Sequence, residues 1–178
     1  MGWKAFVLFY TVIYLIIAAW WDWKFKKIPN WLNFPSILLG LSLNFYFGGW
    51  CGGKNSLWGF FLGLGLYIIP FALGGVGAGD VKFLAGIGAL RGADFVICTF
   101  LLSSVFYFII SLFLLLKEGK LKNFFRKFYV TVSAKTNTLD TIYESDWNLP
   151  LGIFISLAAL ASDIFIFDLM KEVWKNVF

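Results

Sequence analysis

Long apolar runs alternate with short polar breaks along the whole chain. Runs of about 20 residues, the length that crosses a bilayer, extend from Ala5 to Trp21, from about Trp31 to Phe47 and from about Leu57 to Leu73. A fourth covers only Val81 to Leu90, before the turn Arg91-Gly92-Ala93-Asp94, and two more run from Phe95 to Leu116 and from Leu149 to Phe167. The pattern predicts an all-α integral membrane protein: a polytopic bundle of about six transmembrane helices. It reads as one membrane-embedded domain over residues 1–178, with a loop at about 117–148. At 1.5 Å per residue the fourth run measures about 15 Å, half a hydrocarbon core, so either its flanks extend it or it starts below the surface.

Composition narrows the class. With 60% hydrophobic, 21% aromatic and 14% charged residues, a soluble domain of this size is excluded. The first run is too long for a signal peptide and ends in no small-residue cleavage site, so it reads as a retained helix. Lys24, Lys26 and Lys27 follow the first run, Lys82 follows the third, and Lys117, Lys120, Lys122, Arg126, Lys127 and Lys135 follow the fifth. The opposite side carries only Lys4, Lys54, Arg91, Lys171 and Lys175. The positive-inside rule therefore places the loops after odd-numbered helices in the cytoplasm of a plasma (inner) membrane. The net charge of +5 suits an anionic inner leaflet, and no nucleic-acid-binding signature is present.

The available chemistry is limited. There is no histidine and there are only two cysteines, Cys51 in a predicted outer loop and Cys98 inside an apolar run. Ser-His and Cys-His catalysis, the HExxH metalloprotease site and zinc pairs are thereby removed. Acid-base work then falls to carboxylates. Asp80 sits in the stretch GGVGAGDVKFLAGIGAL, residues 74–90, between a glycine-rich loop and an apolar segment, where a charge costs about 2.5–3.5 kcal/mol on insertion scales. Asp22 closes the first helix, and an even number of crossings returns the chain to the same face by Asp80. Two carboxylates on one rim can share a proton, one acting as base on a water and the other as acid toward a carbonyl. Gly77 and Gly79 would let a peptide approach the backbone closely. Blander readings exist: Asp80 as the N-cap of its helix, Asp22 as an interfacial charge beside the lysines, or both holding a metal, which the lack of further acids and histidines argues against.

The stretch Asp22-Trp-Lys-Phe-Lys-Lys-Ile28-Pro29-Asn30-Trp-Leu32 resembles the first catalytic motif of the prepilin peptidases, an aspartate ahead of an IPN or LPD element. Gly77-Ala78-Gly79-Asp80-Val81-Lys82 resembles their second motif, GxGD followed by a hydrophobic residue and lysine. The order of the two and their places at the end of helix one and the start of helix four match as well. The resemblance implies a membrane aspartic endopeptidase needing no cofactor or metal. Such an enzyme removes short basic leaders from type IV pilin-like precursors, cutting at the cytoplasmic face ahead of the substrate's hydrophobic helix. It implies Asp22 and Asp80 as the catalytic dyad, Gly77 and Gly79 shaping the loop, and Lys82, Pro29 and Asn30 in support. Larger members carry a cytoplasmic insertion with paired CxxC motifs and also methylate the new N-terminus; only residues 28–31 separate the first motif from helix two here, so peptidase activity alone is expected. The GxGD aspartate is shared with presenilin-like proteases, but their first aspartate follows a tyrosine, whereas Trp21 precedes Asp22, and Leu149-Pro150-Leu151 is a loose echo of their PAL motif. The alternative from another class is a non-enzymatic transporter or pilus assembly component, whose acids belong nearer the midplane.

In the long loop, KEGKLKNFFRKFYV places Leu121, Phe124, Phe125 and Phe128 among cations, as in a short helix lying on anionic lipid. A basic leader would be drawn instead to Asp140, Glu144 and Asp146. Asp163, Asp168 and Glu172 read as interfacial charges without a role. The glycines at 59, 63 and 86 predict close helix packing.

Overall fold

The computed structural model describes residues 2–72, 76–117 and 151–163, all in helices or short connections. The segment with Asp140, Glu144 and Asp146, and the tail with Asp168 and Glu172, lie outside the described residues.

Helix α1 (Gly2–Phe25) ends where Lys26 takes the left-handed conformation at φ 53 and donates its N–H to the Asp22 carbonyl at 2.8 Å, a left-handed C-cap. Ile28 and Pro29 follow without helical structure, as expected for a residue held extended ahead of proline. The Pro29 carbonyl then accepts the N–H groups of Leu32 and Asn33 at 3.2 and 3.4 Å and opens α2 (Asn30–Ala72).

The expected loop between the second and third runs is replaced by a single-residue break. Gly49 sits at φ 60, ψ −155, a conformation open in practice only to glycine, and the helix resumes at once. Glycines make residues 48–53 read as a loop because of their poor helix propensity, yet here they permit contact. A Cβ on Gly52 would lie 2.5 Å from the Asn44 carbonyl oxygen, and one on Gly53 2.5 Å from the Phe45 ring. The limbs on either side of Gly49 double back. Both meet the same stretch of α3 (Ala78–Arg91): a Cβ on Gly40 would be 2.7 Å from Ala89 and one on Gly63 2.7 Å from Ala85. Asn44 Nδ2 reaches the Ala89 and Leu90 carbonyls at 3.2 and 3.1 Å.

Helix α3 is the centre of the bundle. It is apolar and buried on almost every side from Phe83 to Leu90, as a helix surrounded by others must be. Gly92, at φ 90, caps it by donating to Gly88 at 2.8 Å, and α4 (Ala93–Lys117) begins with the Ala93 N–H on Asn55 Oδ1 at 3.3 Å. Tyr67 joins α4 through Ser103 at 3.1 Å and through its ring on Phe100. The last described helix, α5 (Leu151–Asp163), lies between α1 and α4: Ser156 Oγ donates to the Leu15 carbonyl at 3.2 Å, and Thr99 Oγ1 to Ser162 Oγ at 3.5 Å.

Three helices, Gly2–Phe25, Asn30–Ala72 and Ala93–Phe113, are long and apolar enough to cross a membrane. Their outer faces are apolar and open, with Phe9, Leu38 and Phe108 each about two-thirds exposed (65%, 65% and 66%), an inside-out pattern that suits lipid. Buried hydroxyls on Thr11, Ser36 and Ser162 are satisfied one turn back, by the carbonyls of Val7, Leu32 and Ala158. The expectation that Asp163 is only an interfacial charge does not hold, since it pairs with Arg91, each about four-fifths buried.

Candidate active site

The packing directions bring both aspartates to one end of the bundle. Helix α1 runs antiparallel to the first limb of α2, with Trp3 stacked on Phe47 at one end, Tyr10 on Ser36, and Trp21 against Trp31 at the other. Helix α3 runs parallel to that limb, from Lys82 beside Asn30 to Leu90 beside Asn44. The C-terminal turn of α1 and the N-terminal turn of α3 therefore share an end. Arg91, Gly49 and Asp163 lie at the opposite end.

Asp22 is not a solvated interfacial charge. It falls on the face of α1 that carries Thr11, Tyr14, Leu15 and Ala18, and it is only 3% exposed. The backbone amides of Gly152 and Ile153, in the first turn of α5, are directed at its carboxylate, and the Lys26 charge lies nearby. Its Oδ2 has no hydrogen-bond partner among the described residues.

Asp80 occupies the third position of α3 rather than the N-cap, which is Gly77. Its Oδ2 accepts the Gly77 N–H at 3.3 Å, so one oxygen does the capping. Capping does not account for everything around Asp80, because the turn that carries it packs against the connection that follows Asp22. Ile28 links their surroundings. A Cβ on Gly79 would sit 3.0 Å from the Ile28 carbonyl oxygen and 3.2 Å from its nitrogen, and one on Gly152 would sit 2.8 Å from Ile28 Cδ1. Gly79 thus lets α3 pack closely on the α1–α2 connection.

The supporting residues fall beside the pair. Lys82 Nζ donates to Asn30 Oδ1 at 2.9 Å and lies over the Phe34 ring, tying α3 to the start of α2. Pro29 sets that start through its carbonyl, and Gly77 is exposed on the loop.

Sequence reading overlooked Tyr14, Asn33 and Gly152. Tyr14 Oη donates to Asn33 Oδ1 at 2.9 Å, and Asn33 Nδ2 donates to the Gly79 carbonyl at 3.2 Å, so a buried relay connects α1, α2 and the turn that carries Asp80. One signal was available: an asparagine inside an apolar run is costly unless it is bonded. Among the described residues no group of three or more histidine, cysteine or acidic side chains could hold a metal. Two carboxylates in this setting suit proton transfer to and from a water and a carbonyl.

The sequence model of the type IV leader peptidase family matches residues 9–112, a span that holds both aspartates and ends before α5. Neither the curated proteins nor the solved structures compared with the chain gave a match.

Proposed function

Because the chain belongs to the type IV leader peptidase family, a family of membrane-embedded proteases, we propose that it is an aspartic endopeptidase removing short basic leaders from type IV pilin-like precursors, with Asp22 and Asp80 as its catalytic pair. The observation that carries this reading is the placement of two carboxylates at one end of the bundle, one from the last turn of α1 and one from the first turn of α3, on turns that both pack around Ile28. Like charges at close range favour a state with one proton between them. The ionised member takes a proton from water as the oxygen attacks the scissile carbonyl. The protonated member gives its proton to the carbonyl oxygen. Collapse of the tetrahedral intermediate then breaks the C–N bond as a carboxyl proton passes to the departing amine. Gly77 and Ala78 are exposed, so a peptide can lie along the loop beside Asp80.

Orientation follows from charge. Lys24, Lys26, Lys27 and Lys82 cluster at the aspartate end, which puts that end in the cytoplasm, with each limb of α2 counted as a separate crossing in a six-crossing bundle. Residues 26–29 alone separate α1 from α2, leaving no inserted domain for a second activity. A proton-carrying transporter would hold its acids near the midplane, whereas both acids here sit at helix ends. The test is incubation of membranes containing the protein with a basic-leader precursor, followed by gel shift and mass spectrometry of the product. A shortened chain with a free, unmethylated N-terminus is expected. Failure to cut a panel of such precursors by a well-inserted protein would contradict the reading.

A further inference from the structure

Helix α5 lies outside the family match, yet it closes the site over Asp22. Its second residue is Gly152. A Cβ there would lie 3.0 Å from Asp22 Oδ2 and 3.1 Å from Cγ, besides pressing on Ile28 Cδ1. With no side chain at 152, the N–H groups of Gly152 and Ile153 can be directed at the carboxylate, where the positive end of the helix favours negative charge. Asp22 is buried and its Oδ2 is left without a partner among the described residues. One turn on, Ser156 Oγ is within bonding distance of the Gly152 carbonyl, at 2.8 Å, and of the Leu15 carbonyl, at 3.2 Å, so it braces this turn of α5 against α1.

We propose that Gly152 is a positioning residue: its bare backbone lets the first turn of α5 close on Asp22 and hold the carboxylate in its reactive orientation. Its catalytic consequence rests on the peptidase reading above; its contact with Asp22 does not. A methyl at 152 presses on Ile28 Cδ1 and on the Asp22 carboxylate together, and small displacements at a reacting group are costly, about a hundredfold in rate for about 1 Å.

The experiment compares wild type, Gly152→Ala, Gly152→Val and Ser162→Ala in proteoliposomes, with two readouts. One is leader-cleavage kinetics; the other is the rate at which Asp22 is modified by dicyclohexylcarbodiimide, followed by mass spectrometry and independent of any substrate. Gly152→Ala should lower kcat about tenfold or more with KM within about twofold, and should speed Asp22 labelling several-fold. Gly152→Val should do more. Ser162→Ala, which removes the contact with Thr99 at the other end of the same helix, should stay near wild type in both. Wild-type kcat and labelling in Gly152→Ala would overturn the proposal, as would a Ser162→Ala effect equal to it or a change confined to KM. If wild type cuts no leader but Gly152→Ala alone exposes Asp22, the positioning role stands and the peptidase reading fails.

Discussion

Replacing Asn33 by leucine tests whether the buried relay supports the site. Asn33 is fully buried (0% exposed) and satisfies two groups, the Tyr14 hydroxyl and the Gly79 carbonyl. Leucine keeps the branching at Cγ and removes both bonds, but it is bulkier, so overpacking adds to the loss. An orphaned buried polar group costs about 1–3 kcal/mol, while interhelical hydrogen bonds in membrane proteins average about 0.6 and reach about 1.7 kcal/mol. The Gly79 carbonyl belongs to a half-exposed residue and can be rehydrated; Tyr14, 1% exposed, cannot. The lost bonds should therefore cost about 1–2 kcal/mol, most of it from the stranded tyrosine hydroxyl, and the bulk of leucine about 1–3 kcal/mol more. Tyr14→Phe should cost about 1 kcal/mol by stranding Asn33 Oδ1. In the double variant neither partner is stranded, so its cost should fall below the sum by about 1 kcal/mol. Reversible unfolding in mixed micelles measures all three. Cleavage should separate them: Asn33→Leu releases the turn carrying Asp80 and lowers kcat, whereas Tyr14→Phe keeps the bond to Gly79 and cuts near the wild-type rate. Costs that add within about 0.3–0.5 kcal/mol, or equal kcat values for the two single variants, would refute the relay.

Three further outcomes follow. Gly79→Ala would put a methyl 3.0 Å from the backbone oxygen of Ile28, which cannot rotate away, so kcat should fall about tenfold or more while the protein still inserts; unchanged kcat would show that the loop has slack. The rate plotted against pH should be bell-shaped, because one carboxyl must be protonated and the other ionised; a rate that rises to a plateau at high pH would contradict a shared proton. Lys82→Gln removes the charge from an exposed bond to Asn30, so stability should change by no more than about 1 kcal/mol in an unfolding titration; a larger loss would mean that the contact holds the fold rather than trims the site.

Several of these features were legible in the chain itself, and the rest depend on information that periodicity does not carry. The runs at Ala5–Trp21, Val81–Leu90 and Phe95–Leu116 became α1, α3 and α4 with a few residues added at each end, because apolar length and flanking charge decide such helices. Parity put Asp22 and Asp80 at one end without any distance being known, and the packing agrees. The reversal between the second and third runs was expected, but not that it shrinks to Gly49: glycines there read as a loop, whereas one supplies an unusual dihedral and those at 52 and 53 make room for the returning limb. Tyr14 and Asn33 were hidden because a polar atom in an apolar run gives no hint of its partner until the helices are docked. The role of Gly152 was least accessible, since it depends on how α5 lies across α1, far from it in sequence, where the loose echo at residues 149–151 drew attention instead.

The most direct test is leader cleavage by wild type, Asp22→Asn and Asp80→Asn in the same membrane preparation, with insertion checked for each. Asparagine keeps the shape and removes the ability to ionise. The account predicts that wild type cuts and that each single variant is inert, because attack on the carbonyl needs one ionised and one protonated carboxyl at the same moment. Near-wild-type cleavage by either variant would reduce that residue to a helix cap or a packing group and contradict the paired mechanism.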